Sequence, residues 1–221
     1  MIQLFWLRTD LRIADNTALS QALSNGPTVA VYLITPQQWL AHDDAPCKVD
    51  FWLRNLACLR EQLGKLNIPL LIRNCADWQQ APVTLLQLSQ QIGAGAVHCN
   101  EEYGIHETRR DRACSSLLEP QGIAFTAHFD QLLLKPGSVL TQSGNYFQVF
   151  SQFRKVCYQR LHRSLPACLP YPAAQAALPV SSDELPTTVS GFTPPDASLR
   201  QLWPAGETAA QQRLQQFAEQ Y

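Results

Sequence analysis

The chain has 221 residues, 46% of them apolar, with 17 basic residues against 18 acidic and a formal charge of −1. That length and apolar content suit one full α/β domain with an additional segment, and they exclude a wholly disordered or fibrous chain. The balanced charge gives no overall electrostatic footprint for nucleic acid, although a local basic patch stays compatible with it.

Seven cysteines stand at positions 47, 58, 75, 99, 114, 157 and 168. The number is odd and no C-x-x-C pair occurs, which reads as reduced thiols of a cytoplasmic protein rather than a disulfide scaffold. The opening "MIQLFWLRTD" has no basic lead and reaches a charge by Arg8, so neither a signal peptide nor a membrane span is expected.

In chain order, residues 2–8, 28–34, 69–73, 96–99 and 123–129 read as strands. The first four are continuous apolar runs, which suits strands buried on both faces of a parallel sheet. Helical patterns lie between them. One covers 16–24, after Asp15 as a plausible N-cap. Another covers 48–66, with Val49, Trp52, Leu53, Leu56, Leu63 and Leu66 on one face. Two more cover 82–92 and 103–118. The alternation predicts a Rossmann-like, doubly wound α/β domain with a five-stranded parallel sheet in the order 3-2-1-4-5.

The organisation changes after residue 164. Eight of the 15 prolines fall in 166–204, together with only four charged residues. This predicts an extended connector without long regular elements, laid against protein by its Leu, Val, Phe and Trp residues. Helical spacing resumes in "ETAAQQRLQQFAEQY", with Leu214, Phe217, Ala218 and Tyr221 on one stripe. No Gly or Pro ends it, and the segment is expected to open a further helical domain.

Ligands of open α/β sheets bind beyond the carboxyl ends of the strands, where strand order reverses. That rule selects the loop holding Arg8, Thr9, Asp10 and Arg12, the region "TPQQWLAHDDAP" with Trp39, His42, Asp43 and Asp44, and the loop "NEEYGIHETRRD" from Asn100 to Asp111. Each has a plainer reading. Arg8 and Asp10 pair with each other or cap a helix. Glu101, Glu102 and Glu107 favour a helix dipole. Arg109, Arg110, Asp111 and Arg112 form a solvated charged face. No second ligand cluster supports a metal at His42. "GAGA" at 93–96 follows a helix and opens a strand, so it is a helix C-terminus rather than a phosphate loop. No Walker pattern and no G-x-S-x-G occurs.

"FWLRTDLRIADNTAL" (5–19) resembles the N-terminal signature of the photolyase/cryptochrome family, W-F-R-x-D-L-R-x-x-D-N-x-A-L. "LITPQQWLAHDDAP" is similar to the following loop of bacterial folate-type DNA photolyases, and "YFQVFSQFRKVCYQRL" (146–161) to the Y-x-V-F-T-P-F-x-x-x-W segment. "SQF" stands in place of T-P-F, and Tyr158 near the expected Trp. The resemblance covers almost the whole chain.

The resemblance implies an α/β antenna domain over 1–130, a domain-closing segment with a helix over 131–164 and the Pro-rich connector over 165–205. Residues 206–221 would then be the first helix of a truncated FAD-binding helical domain. It implies a parent lyase that splits pyrimidine dimers in damaged DNA by light-driven electron transfer from reduced flavin, and an antenna of 5,10-methenyltetrahydrofolate. His42 and Glu107 match family antenna residues, Glu107 by accepting bonds from the pterin. The residue before that glutamate is usually Asn, and here it is His106. The alternatives are an 8-hydroxy-deazaflavin antenna, a flavin antenna or no antenna. Arg8, Asp10 and Arg12 are expected at the domain interface, partly satisfied by the missing domain. No membrane role and a monomer are expected, and the fragment alone is not expected to be catalytic. Competing readings are a cryptochrome-like photoreceptor and a stand-alone ligand-binding α/β module.

Overall fold

The computed structural model describes residues 1–220. Five strands, β1 (Ile2–Leu7), β2 (Thr28–Ile34), β3 (Leu70–Asn74), β4 (Ala94–Asn100) and β5 (Ala124–His128), form one sheet in the order β3-β2-β1-β4-β5. All pairings are parallel, with Phe5 opposite Ala30 of β2 and His98 of β4. The expected fold is therefore present, and the order reverses between β1 and β4.

Alternate residues of each strand feed two cores. Phe5 and Leu7 pack with α1 (Thr17–Asn25) and α3 (Pro46–Lys65) on one face. Leu4, Trp6, Val97 and Cys99 pack on the other with α4 (Ala81–Ile92) and α5 (Ile105–Leu118). A strand period of two places successive side chains in different layers, which is why the central strands read as unbroken apolar runs.

Several boundaries move for local reasons. Asn16, not Asp15, caps α1: its side-chain oxygen accepts from the Leu19 amide at 3.1 Å. Asp15 instead takes a left-handed turn at φ 49°. A short helix not expected from the sequence, α2 (Pro36–Ala41), opens at a proline, as α3 does; the fixed φ of proline suits a first helical position. Gly93 ends α4 in the left-handed region at φ 66°, as its place after the helix implied. The next strand begins at once, at Ala94.

Asn100 at the end of β4 is 1% exposed and ties three segments together. Its side-chain oxygen accepts from the Ala18 amide at 2.9 Å. Its amide nitrogen donates to Asp10 at 2.6 Å and to the Asn16 side chain at 2.9 Å. Farther down the same sheet face lies a histidine pair. The Gln3 amide nitrogen donates to the Met1 carbonyl at 3.1 Å, which turns its oxygen toward His98 Nε2 at 3.0 Å. His98 Nε2 therefore carries the proton, and Nδ1 accepts from His128 Nε2 at 2.9 Å.

Residues 165–205 contain one short helix, α7 (Ala197–Leu202), and a single bridge between Val189 and Phe192. The stretch runs along the outer edge of β3. Ser182 and Asp183 take the Leu70 and Ile72 amides at 3.0 and 2.8 Å, and the Asp183 amide donates to the Leu70 carbonyl at 2.9 Å. An otherwise bare sheet edge is thereby covered. Val189 and Phe192 enter the α1–α3 core. Beyond the connector are α8 (Glu207–Gln220), where Leu214 and Phe217 are exposed, and then Tyr221, which lies outside the described residues. No helix among the described residues is long and apolar enough to cross a membrane.

Two outcomes are expected. Asn100→Ala leaves a buried amide and a buried carboxylate short of partners and costs about 3 kcal/mol in urea unfolding, against about 0.5 kcal/mol or less for exposed Asn25→Ala. Burial, with a smaller contribution from neighbouring His128, lowers the His98 pKa from 6.5 to about 4. The unfolded chain then binds more protons than the folded one between those values. Stability falls as pH drops from 6.5 toward 4, by about 3 kcal/mol from this group. His98→Phe flattens that slope in urea midpoints measured at pH 7 and pH 5; an unchanged slope assigns it to other groups.

Candidate functional site

At the carboxyl end of the sheet a cleft of about 160 Å³ opens among Trp6 of β1 and Thr9 just after it, Trp39 and His42 after β2, Trp52 of α3, Trp78 after β3 and Glu107 of α5. Four of the five tryptophans therefore line one cavity. Trp39 and Trp52 lie 5.2 Å apart at a tilt of 50°, and Phe192 from the connector backs Trp39 edge-on at 6.0 Å. The aromatic walls present flat apolar faces; Lys48 and Asp44, paired at 2.6 Å, sit at the rim.

Beneath the walls lies a buried charge cluster. The Arg8 guanidinium reaches both Asp111 oxygens at 2.7 and 2.8 Å, the Asn100 carbonyl, and Glu102 at 3.4 Å. Arg110 bonds Glu102 and Asp111, both at 2.8 Å, and its guanidinium lies between Trp6 and Trp78, 4.8 and 4.7 Å from the ring centres. Burial by itself would raise the Glu102 carboxyl pKa; Arg8 and Arg110 outweigh it, and the group is held below its ordinary value. Burial also raises the Tyr32 phenol, which stays protonated.

Glu107 sits in the first turn of α5, at the third helical position. Its carboxylate folds over Gly104, where a Cβ would collide with it. No donor among the described residues reaches it, so an acceptor stands open beside the cleft. His42 caps the end of α2. The Gln38 amide, oriented by accepting from the Trp78 amide, donates to His42 Nε2 at 2.7 Å. Nδ1 then carries the proton. The His42 ring lies 5.3 Å from Trp78 and 5.7 Å from His106. The three residues expected to act together are thus neighbours: His42 and Glu107 line the cleft, and His106 stands just outside it.

The expected interface group behaves differently. Arg8 and Asp10 are 7% and 6% exposed. Asp10 accepts from the Arg8 amide at 3.1 Å and from Asn100. Both residues find partners inside the α/β unit, as buried charges must, and neither depends on a further domain for them. Arg12 pairs with Asp130 at 2.5 Å. The backbone of the same loop does meet α8: Ile13 and Ala14 amides donate to the Glu207 carboxylate at 3.0 and 3.2 Å.

The loop after β3, which supplies Trp78, was not among those selected from the sequence. Nor is Arg110 part of a solvated face. It shares the buried face of α5 with Cys114 and Leu118 at a spacing of four. An arginine in register with two core residues was the signal that marked it.

The family model described as DNA photolyase matches residues 3–173. A deoxyribodipyrimidine photo-lyase of Vibrio cholerae is 43% identical over 155 residues, covering 70% of this chain and 33% of that protein. One from Salmonella typhimurium is 31% identical over 219 residues, covering 98% of this chain and 46% of that protein. Among solved structures, a class III photolyase from Agrobacterium tumefaciens superposes with a TM-score of 0.79 at 25% identity, covering 98% of this chain and 44% of that one. The chain spans less than half the length of these relatives, and over that span it belongs to the DNA photolyase family.

Proposed function

We propose that this chain is the light-harvesting region of a deoxyribodipyrimidine photolyase and that its cleft holds the antenna chromophore, 5,10-methenyltetrahydrofolate. The observation that carries the reading is the unpartnered Glu107 carboxylate beside a tryptophan-walled cleft at the switch between β1 and β4. A pterin offers an amino group and a ring N–H side by side, and a carboxylate accepts both in parallel. Tryptophan faces take the flat ring, and His42 and His106 supply adjustable donors and acceptors at the mouth. The bound folate would supply near-ultraviolet absorption and pass excitation onward. The residues of this chain bind it, orient it and keep water from its faces.

FAD, dimer splitting and recognition of damaged DNA are assigned to a C-terminal helical domain, with α8 as its first helix. The deoxyribodipyrimidine photo-lyases similar to this chain, all of them longer, support that division. The Glu207 contact to the Ile13–Ala14 amides then becomes the seam between the two parts.

In a protein that includes the C-terminal half, methenyltetrahydrofolate titrated against near-ultraviolet absorption is expected to bind about 10- to 150-fold more weakly after Glu107→Ala, the loss of one charge-assisted interaction. His106→Asn preserves or improves binding. Equal affinity in the parent and in Glu107→Ala rejects the folate site and turns the assignment to a deazaflavin or flavin antenna. Residues 1–221 alone are expected to bind no stoichiometric FAD and to split no dimers; light-dependent repair by this chain would sink the division of labour.

A further inference from the structure

The two edges of the sheet are finished differently. The connector covers β3, whereas β5 ends the sheet on the other side. The His128 carbonyl accepts from the Glu101 amide at 2.7 Å, so the backbone groups of His128 point toward β4. Backbone orientation alternates along a strand; Thr126 and Ala124 therefore point the same way, and Phe125 and Ala127 point outward. No hydrogen-bond partner among the described residues reaches the outward amides and carbonyls of those two residues. The usual guards of an open edge are missing too: β5 has no proline, no lysine and no break in its register. From Pro120 to Phe129 there is no Asp, Glu, Lys or Arg.

A second copy of the same strand fits this edge. With the copies antiparallel and a two-fold axis at Thr126, Phe125 of each copy faces Ala127 of the other, and each such pair exchanges both of its hydrogen bonds. Every outward group of both strands is then satisfied. Each pair also sets a large side chain beside a small one, on the face where Phe125, Ala127, Tyr103 and Ser116 line an open groove of about 590 Å³. On the other face, exposed Thr126 meets Thr126 of the second copy, a favourable cross-strand pair. In this register Ala124 faces His128 and Gly122 faces Asp130, so no charge meets a like charge. Five strand residues a side fall short of the roughly 20–30 of a stable interface, which makes the pairing weak and concentration-dependent.

We propose that β5 is a self-association edge, through which two copies of the chain join their sheets antiparallel about Thr126. The chain is then in a monomer–dimer equilibrium, in place of the monomer expected from the resemblance. Neither the folate cleft nor the Glu207 contact includes a β5 residue, so both stay accessible in the dimer. The test is sedimentation equilibrium of the 221-residue chain from about 5 to about 500 µM, where the mean mass is expected to rise toward twice the monomer mass with a dissociation constant on the order of 100 µM. Thr126→Lys places two cations on the axis at an exposed position and is expected to weaken association at least about 10-fold. Thr126→Cys is expected to give a disulfide-linked dimer under mild oxidation, because residues at a non-hydrogen-bonded antiparallel pair lie about 4.5 Å apart between Cα atoms, within disulfide reach. Peptide mapping separates that link from links through the exposed Cys47 and Cys168. Ala124→Cys is expected to give none, since the two copies of position 124 are four residues out of step, about 14 Å. A mass independent of concentration overturns the proposal, as does equal cross-linking at positions 124 and 126. Association unchanged by Thr126→Lys overturns it as well, and moves the contact to exposed apolar groups elsewhere, such as Phe150 and Phe153 of α6 (Phe150–Arg163). None of these measurements uses folate, so their failure is separable from failure of the antenna titration.

Discussion

Two guanidiniums and two carboxylates share the floor of the cleft, and its geometry depends on their mutual pairing. Arg8 arrives from the end of β1, Glu102 from the loop after β4, and Arg110 and Asp111 from α5. Each charge loses several kcal/mol of hydration on burial, of order-of-magnitude size, and none is tolerable there alone. Paired, they allow one arrangement of the segments that carry them. Removing one member of such a cluster costs about 3–5 kcal/mol, because the remaining charge is left buried without compensation. The exposed pair Arg60–Glu184, with the Glu184 side chain 90% accessible, is held by nothing comparable.

The cluster is also what links fold to function. Arg110 is fixed by Glu102 and Asp111, and it fixes Trp6 and Trp78 in turn, by lying between their faces. Holding Arg110 holds the first turns of α5, and hence the direction in which Glu107 opens. The floor and two walls are thereby linked by ion pairs and ring contacts. At the rim, His42, His106 and Lys48 are exposed side chains, His42 and Lys48 each held by one neighbour, Gln38 and Asp44. A site built in this way presents flat faces suited to a planar ring and leaves polar groups at the entrance. Pre-organisation of the first kind lowers the ordering cost of binding.

The fold was largely legible because its signal is local. Strands such as "TVAVYLI" carry their burial on both faces in seven consecutive residues, and β2 matches that run residue for residue. Where neighbours decide, sequence reading faltered. Asp15 and Asn16 are both plausible caps, and the choice was made by Asn100, which approaches from 84 residues away. The helix α2 is six residues long, too short for a periodic pattern to declare itself. Glu107 and His42 in the cleft, and His106 just outside it, were findable through motif resemblance. Of the four tryptophans only Trp39 was selected with its loop; Trp6, Trp52 and Trp78 were not, since each sits on a different segment and no spacing connects them. Arg8 and Asp10 read as a pair, or as charges partly satisfied by a further domain, and the partners that neutralise Arg8 lie about a hundred residues downstream, beyond the reach of local spacing.

The connector shows how far a composition boundary can depart from a packing boundary. Proline density sets residues 165–205 apart from the α/β sequence before it. In the structure the same stretch supplies what β3 lacks. Proline-rich chain is poor at forming its own ladders, because it gives up amide donors and resists regular pairing. Its side chains and remaining amides are free to serve a neighbour instead. Gln175 does so from both ends, accepting from the Thr28 amide at 2.7 Å while donating to the Thr28 and Asn67 carbonyls, each at 2.9 Å. Farther along, Arg200 reaches Asp50 of α3, and the Gly206 amide reaches Asn55 of the same helix. A chain cut at residue 164 would therefore expose the edge of β3, open the Val189–Phe192 side of the core and remove the ring behind Trp39. The connector is extended in form, but the sheet and the tryptophan wall both rest on it, so the α/β unit is structurally complete only where α8 begins.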